Sequence, residues 1–142
     1  MTRRARDEQG SVTLEVAVLS LVLLSLIAFT VMVLRVENAG GSVDQAAADA
    51  ARQASLSATP EQAQQNAYTA ALSTLDADNL QCSSLTVSVD TSGFSVPVGQ
   101  SATVSATVTC IVALSDLTGI IPVGHHTETS FMVSPLDNYR GR

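Results

Sequence analysis

The segment Val16–Leu34 constrains this chain most, because it holds nineteen consecutive residues without a charge. Thirteen of them are Val, Leu, Ile or Phe. As a helix, a segment of this length spans about 28 Å, close to the thickness of the hydrocarbon core of a bilayer. Moving its large apolar side chains into lipid gains roughly 4–8 kcal/mol. The sequence therefore predicts one membrane-spanning helix.

Three arginines, Arg3, Arg4 and Arg6, precede the segment, which predicts a cytoplasmic N-terminus and an exported remainder. Three interpretations of the N-terminal region compete. The first is a secretory signal peptide cut near Ala39, although its apolar region normally has about 7–15 residues. The second is a plain signal anchor. The third is a leader cut on the cytoplasmic side after Gly10, which leaves the apolar helix on the product.

Only the third interpretation accounts for both Gly10 and Glu15. A cut after Gly10 makes Ser11 the first residue of the mature chain and Glu15 the fifth. A carboxylate is costly in an apolar environment, and the new α-amino group of a neighbouring copy would neutralise it. In the competing interpretation, Ser11 is an N-cap and Glu15 reaches the lipid headgroups and favours the helix dipole.

Charge and composition exclude several functions. The formal net charge is −6 and the chain has no Lys, which argues against nucleic-acid binding. Loss of residues 1–10 would leave four Arg and eleven acidic residues, a charge of −7. The sequence lacks a phosphate loop, a nucleophile elbow and a plausible catalytic triad, so we expect neither an enzyme nor a cofactor.

Two polar pairs resemble metal ligands but predict no metal site. Asp76 and Asp78 lie at the end of a predicted helix, where carboxylates are usually solvated turn residues. His125 and His126 are interpreted as ordinary loop residues, and in a strand they would point to opposite faces.

The helical pattern runs from Val12 to about Ser57, and only the pair Gly40–Gly41 interrupts it, at a usual place for a bend. Beyond the pair, small residues recur on one narrow face: Val43, Ala46, Ala47, Ala50 and Ala54. This face packs either on the chain's own second helix or on another molecule.

A second helix begins with Thr59 as its N-cap and Pro60 in its first turn, and it ends near Asp76–Asn79. Its predicted apolar face consists of Ala63, Ala67, Ala70, Ala71 and Leu75.

From Leu85 onward the apolar period changes to two, which indicates strands at Leu85–Val89, Ala102–Leu114 and Thr127–Val133. Gly93 and the run Pro97–Gly99 supply the turns. The two cysteines of the chain, Cys82 and Cys110, are predicted to form a disulfide in an exported domain. The loop that it closes is near 29 residues, worth roughly 3–4 kcal/mol.

These patterns predict an α+β fold: a long N-terminal transmembrane helix, a second short helix, and a small antiparallel β-sheet of about three or four strands. The predicted organisation is a cytoplasmic leader (1–10), a long helix (11–58, with the membrane span at 16–34) and an exported disulfide-bonded domain (59–142).

The leader, Gly10, Ser11 and Glu15, followed by a single apolar helix, resemble type IV prepilin-like proteins. The finer similarity is to the TadE/TadG-like pseudopilins of the tight-adherence pilus. The Ala-rich stretch Glu37–Leu56 and the ending Ser134–Arg140 add to this similarity. The chain departs from the family in having Val16 where an aromatic residue is frequent, and in being longer than the short major pilins.

The resemblance implies a minor pseudopilin of the cell membrane or surface pilus. Its partners would be a prepilin peptidase that cuts between Gly10 and Ser11, the major pilin, and other pseudopilins, in a homo- or hetero-oligomer that depends on Glu15. The main alternative is a single-pass anchored extracytoplasmic binding domain that does not polymerise. A third possibility is a secreted inhibitor or small enzyme.

Overall fold

A computed structural model describes residues 4–113 and 124–139, with side chains at 13–34, 37–113 and 124–139. The fold is α+β, as predicted, and its three-stranded antiparallel sheet has the order β1-β2-β3. The elements, in chain order, are α1 (Arg4–Ser55), α2 (Pro60–Ala77), β1 (Ser84–Asp90), a 3-10 helix (Ser92–Ser95), β2 (Thr103–Ala113) and β3 (His125–Pro135). Leu114, the last residue of the predicted second strand, lies outside the described residues.

The chain forms two compact units, Met1–Arg35 and Val36–Arg142, and the division falls inside α1. We call the second unit the head. The helix begins at Arg4 rather than at the predicted Val12, so Ser11 lies within the helix and is not its N-cap. Good helix formers at positions 4–9 extend the helix, and one glycine costs only about 1 kcal/mol.

The helix is also continuous through Gly40 and Gly41, and the predicted interruption there is wrong. The flanking residues Ala39 and Val43 are 3% and 1% exposed. Burial of these neighbours offsets the helix penalty of the glycines, which is about 1 kcal/mol each.

The small-residue face of α1 packs inside the head. Val43, Ala46, Ala47, Ala50 and Ala54 are at most 1% exposed and belong to one hydrophobic core with α2 and the sheet. Of the two interpretations of this face, the intramolecular one is confirmed, because no part of it is left open to another molecule. Thr74 of α2 reinforces the packing by donating a 2.8 Å hydrogen bond to Asp49 of α1.

Helix α2 begins with the predicted Thr59 cap and ends at Ala77, within the predicted region. The Thr59 hydroxyl accepts a hydrogen bond from the Gln62 N–H at 3.3 Å. At the other end Asn79 adopts a left-handed conformation (φ 55°), which directs the Leu80 N–H to the Leu75 carbonyl at 2.9 Å. This arrangement satisfies a carbonyl of the last turn and returns the chain to the core. The predicted apolar face is buried except for Ala70, which is half-buried.

The central strand β2 alternates as predicted, with every second residue buried and the others half-buried or exposed. Its inward side chains form the floor of the core: Ala102 (just before the strand), Val104, Ala106, Val108, Cys110 and Val112. The predicted disulfide joins Cys110 to Cys82, with 5.4 Å between their Cα atoms. It fixes the segment before β1 to the middle of β2.

The link between β1 and β2 makes one close backbone approach. A Cβ built on Gly93 would lie 2.1 Å from the Thr103 carbonyl oxygen and 2.9 Å from Leu136. Only glycine fits there without a backbone shift. Gly93 thus lets the 3-10 helix lie against the start of β2 and the residue that follows β3.

Candidate functional site

The first candidate site is the surface of α1 over residues 13–34, which we call the apolar segment. Every side chain in it is exposed, and the large apolar ones are extensively so, such as Leu14 (69%) and Phe29 (65%). Among the described residues, the Thr13–Ser55 part of α1 is the one helix long and apolar enough to cross a membrane. Side chains of this kind need lipid or another protein around them.

The polar side chains of the apolar segment are compatible with an apolar surrounding. The hydroxyls of Ser20, Ser25 and Thr30 donate to the carbonyls of Ala17, Val22 and Leu26, respectively, at 2.7–2.9 Å. Because each hydroxyl is satisfied by its own helix, none requires water or a neighbouring helix. The segment can therefore move from lipid into a protein bundle without breaking these bonds.

Glu15 is the exception. It is the one charged residue between positions 13 and 34, and it is exposed. Among the side chains that the structure describes, none forms a hydrogen bond or ion pair with its carboxylate. Gly10 and Ser11, the predicted processing residues, lie in the same helix, and Ser11 is four positions before Glu15. Residues four apart share one helix face, so the predicted new terminus and the carboxylate lie on the same side of α1.

The head contains the disulfide between Cys82 and Cys110. Cys110 is fully buried and Cys82 packs against the same core. A structural disulfide of this kind is typical of an extracytoplasmic domain. It also stabilises a core built mainly of alanine and valine, whose small side chains bury little apolar area.

The two histidines lie in β3 and not in a loop, so that prediction is wrong. His125 is exposed, whereas the His126 ring Nε2 lies 2.6 Å from the Glu128 carboxylate on the inner face of the sheet. The reason is that β2 and β3 remain paired as far as Ala113 and His125. The pair was not predicted, although its i, i+2 spacing within a strand was the available signal.

Glu128 also lines a groove of about 380 Å³ together with Glu37, Gly40, Gly41 and Asp44 of α1. Three carboxylates thus surround the groove, while the glycines leave its α1 side without side chains. Within residues 13–34, 37–113 and 124–139, no cluster of three or more His, Cys, Asp or Glu is arranged to hold a metal ion. Asp78 serves as the C-cap of α2, which is the role of a turn residue.

Comparison of the chain with protein families, curated proteins and solved structures finds no match.

Proposed function

We propose that this chain is a minor pseudopilin, an assembly component of a tight-adherence type IV pilus. The observation that carries the proposal is the apolar segment, whose side chains are all exposed and whose one carboxylate, Glu15, has no partner among the described side chains. A helix with this surface is suited both to a bilayer and to the core of a helical filament. A plain anchor requires the apolar surface but does not require a carboxylate at this position.

In the proposed mechanism, a prepilin peptidase removes residues 1–10 and frees the α-amino group of Ser11. The helix then leaves the bilayer and packs against the major pilin or other pseudopilins. Glu15 neutralises the Ser11 ammonium group of a neighbouring subunit. In a low dielectric such a pair is favourable only at close range, so it fixes the axial offset of the two helices as well as stabilising them.

Because the small-residue face is buried in the head, it is not available for contacts between subunits. Residues 43–54 of α1 use that face within the head, and it is closed to a neighbour. Contacts between subunits through the N-terminal helix would therefore come from the apolar segment, with its large side chains, and not from the alanine-rich half of α1.

The test is the variant Glu15→Ala, with Glu61→Ala as its matched control. Glu61 is an exposed glutamate in the first turn of α2. We expect Glu15→Ala to be exported, processed and disulfide-bonded but absent from sheared pilus fractions, because no carboxylate offsets the ammonium group of a neighbour. Glu61→Ala should be incorporated normally. Normal incorporation of Glu15→Ala would favour the tethered binding domain that never polymerises.

A further inference from the structure

The two edge strands of the sheet in the head differ in whether another element covers their outward backbone groups. At the β1 edge the side chain of Gln64, from α2, takes the place of a neighbouring strand. Its amide nitrogen donates to the Val87 carbonyl at 2.8 Å, and its amide oxygen accepts from the Val89 N–H at 3.1 Å. One side chain thus satisfies a donor and an acceptor that would otherwise be open to another chain.

The β3 edge carries no such cover among the described residues. The Leu136 N–H bonds to the Ala102 carbonyl at 2.9 Å, and in the β2–β3 register these residues are directly opposite each other. Residues of β3 at even positions therefore point their backbone groups toward β2. Pro135, which has no N–H, occupies an outward position, as this phase requires. The outward N–H and C=O groups belong to His125, Thr127, Thr129, Phe131 and Val133.

Nothing in the backbone of β3 blocks pairing along this edge. The register with β2 is continuous from Pro135 to His125, without a bulge. The chain has no Lys, and proline appears only at the end of the strand. Phe131 and Val133 are 60% and 54% exposed on the outer sheet face. An unpaired edge with these properties is a template for one kind of occupant, an extended backbone.

The negative charge beside Glu128, on the inner face of β3, favours a positively charged segment at this edge. The groove beside Glu128 is lined by Glu37 and Asp44 as well. The β2 residues opposite His126 and Glu128 are Val112 and Cys110, which are at most 1% exposed. Because these β2 residues are covered, Glu128 of β3 is the residue through which the sheet lines the groove. A second copy of β3 would bring another Glu128 to this acidic groove, which like-charge repulsion disfavours.

We infer that the β3 edge is a strand-addition site for an extended segment of a different polypeptide. The segment carries Lys or Arg on the side that meets the groove and β-branched or other apolar residues on the side that meets Phe131 and Val133. The inference is independent of the proposed function, since it involves the head and not the apolar segment.

The experiment uses the full chain in detergent and three capped nine-residue peptides. One alternates Lys with Val and Thr, one has Glu in place of each Lys, and one has Pro in place of the central Val or Thr. Hydrogen exchange is followed at the N–H groups of Thr127, Thr129 and Phe131. We expect about tenfold slower exchange with the Lys peptide at ten times its Kd. The other two peptides should give no protection.

Two variants of the chain locate the contact. Thr129→Pro removes one outward N–H without breaking a backbone bond to β2, whereas Thr129→Ala keeps that N–H. Both variants lose the hydrogen bond between the Thr129 and Thr109 hydroxyls, so they are compared with each other. We expect the Lys peptide to protect Thr127 and Phe131 in the Ala variant but not in the Pro variant. An intact Cys82–Cys110 disulfide and an unchanged unfolding midpoint show that a variant is folded.

Carbodiimide cross-linking supplies a readout that does not depend on either variant. Because the chain has no Lys, amide cross-links to peptide lysines are distinguished by mass from any that join two copies of the chain. We expect the links at Glu37, Asp44 or Glu128. Protection by the Glu peptide equal to that by the Lys peptide, cross-links elsewhere, or no protection at all would overturn the inference. Protection that rises with protein concentration alone would assign the edge to a second copy.

Discussion

Helix α1 contains one stretch in which the apolar side chains are exposed and another in which they are buried. In the apolar segment, residues 13–34, large side chains such as Leu23 and Phe29 are 60% and 65% exposed. Between Ala39 and Ala54, small side chains are buried in the core of the head. Burial in this helix therefore follows the presence of neighbouring elements and not the size of the apolar side chain.

The difference shows which half of the helix finds its packing partners within the same chain. The alanine-rich half has its partners, α2 and the sheet, within the same chain. The apolar segment has none among the described residues, and exposed apolar area on this scale requires an external partner. Substitutions should therefore act on head stability in one half and on membrane insertion or assembly in the other.

The largest expected effect on the head comes from its disulfide. The double variant Cys82→Ser, Cys110→Ala should lower the free energy of unfolding of the head by roughly 3–4 kcal/mol, because the unfolded chain regains the entropy of the closed loop. Urea unfolding of the detergent-solubilised chain measures this change. The insertion of the apolar segment should not change, and its loss would show that the two halves are not independent.

Enlarging a buried alanine tests the comparison directly. Ala50 is fully buried, so Ala50→Leu should destabilise the head by about 1–3 kcal/mol through overpacking. Leu23→Ala is the matched reverse change in the apolar segment and should leave the unfolding midpoint of the head unchanged. Equal midpoints for Ala50→Leu and the wild type would mean that the alanine face has room for a partner.

Two glycines should respond to alanine with opposite signs. Gly93→Ala places a Cβ against the Thr103 carbonyl and should cost about 1–3 kcal/mol. At Gly41 a Cβ meets nothing within 4 Å inside a helix, so Gly41→Ala should stabilise the head by about 0.5–1 kcal/mol. Thermal unfolding of both variants checks the signs. Destabilisation by Gly41→Ala would contradict the open space around this position.

The smallest effect is a pH dependence at Asp90. Its side chain accepts a hydrogen bond from the Ser92 N–H at 2.9 Å, and this bond holds the pKa of the carboxyl below its ordinary value of 3.8. A depressed pKa adds stability above the unfolded pKa, and this stability is lost as the pH falls through the folded value. The unfolding midpoints of the wild type and Asp90→Asn should therefore converge as the pH falls below 3.8, and a difference that stays constant there would contradict this origin.

Much of the fold follows from local sequence patterns. Three signals predicted what the structure has: the two-residue period of β2, the Thr59–Pro60 helix start and the cysteine pair. The first two are local in sequence, and the third follows from there being only two cysteines in the chain. Periodicity alone left open whether the alanine face of α1 has an internal or external partner. That choice depends on the three-dimensional packing of α2 and the sheet.

The missed features depend on contacts between elements distant in sequence. Gln64 covers the edge of β1 from another element, and nothing in its surrounding sequence marks it for that role. The strand conformation of His125 and His126 comes from pairing with β2, which outweighs their weak local preference. Helical continuity through Gly40 and Gly41 likewise reflects burial of the flanking residues.

The central claim is that the mature chain begins at Ser11, so that Glu15 meets a new ammonium group on a neighbour. Intact mass and N-terminal sequencing of the protein from native membranes and pili test this claim most directly. We expect a single species that begins Ser-Val-Thr-Leu-Glu. A chain that still begins at Met1, or one that begins beyond Leu34, would contradict it.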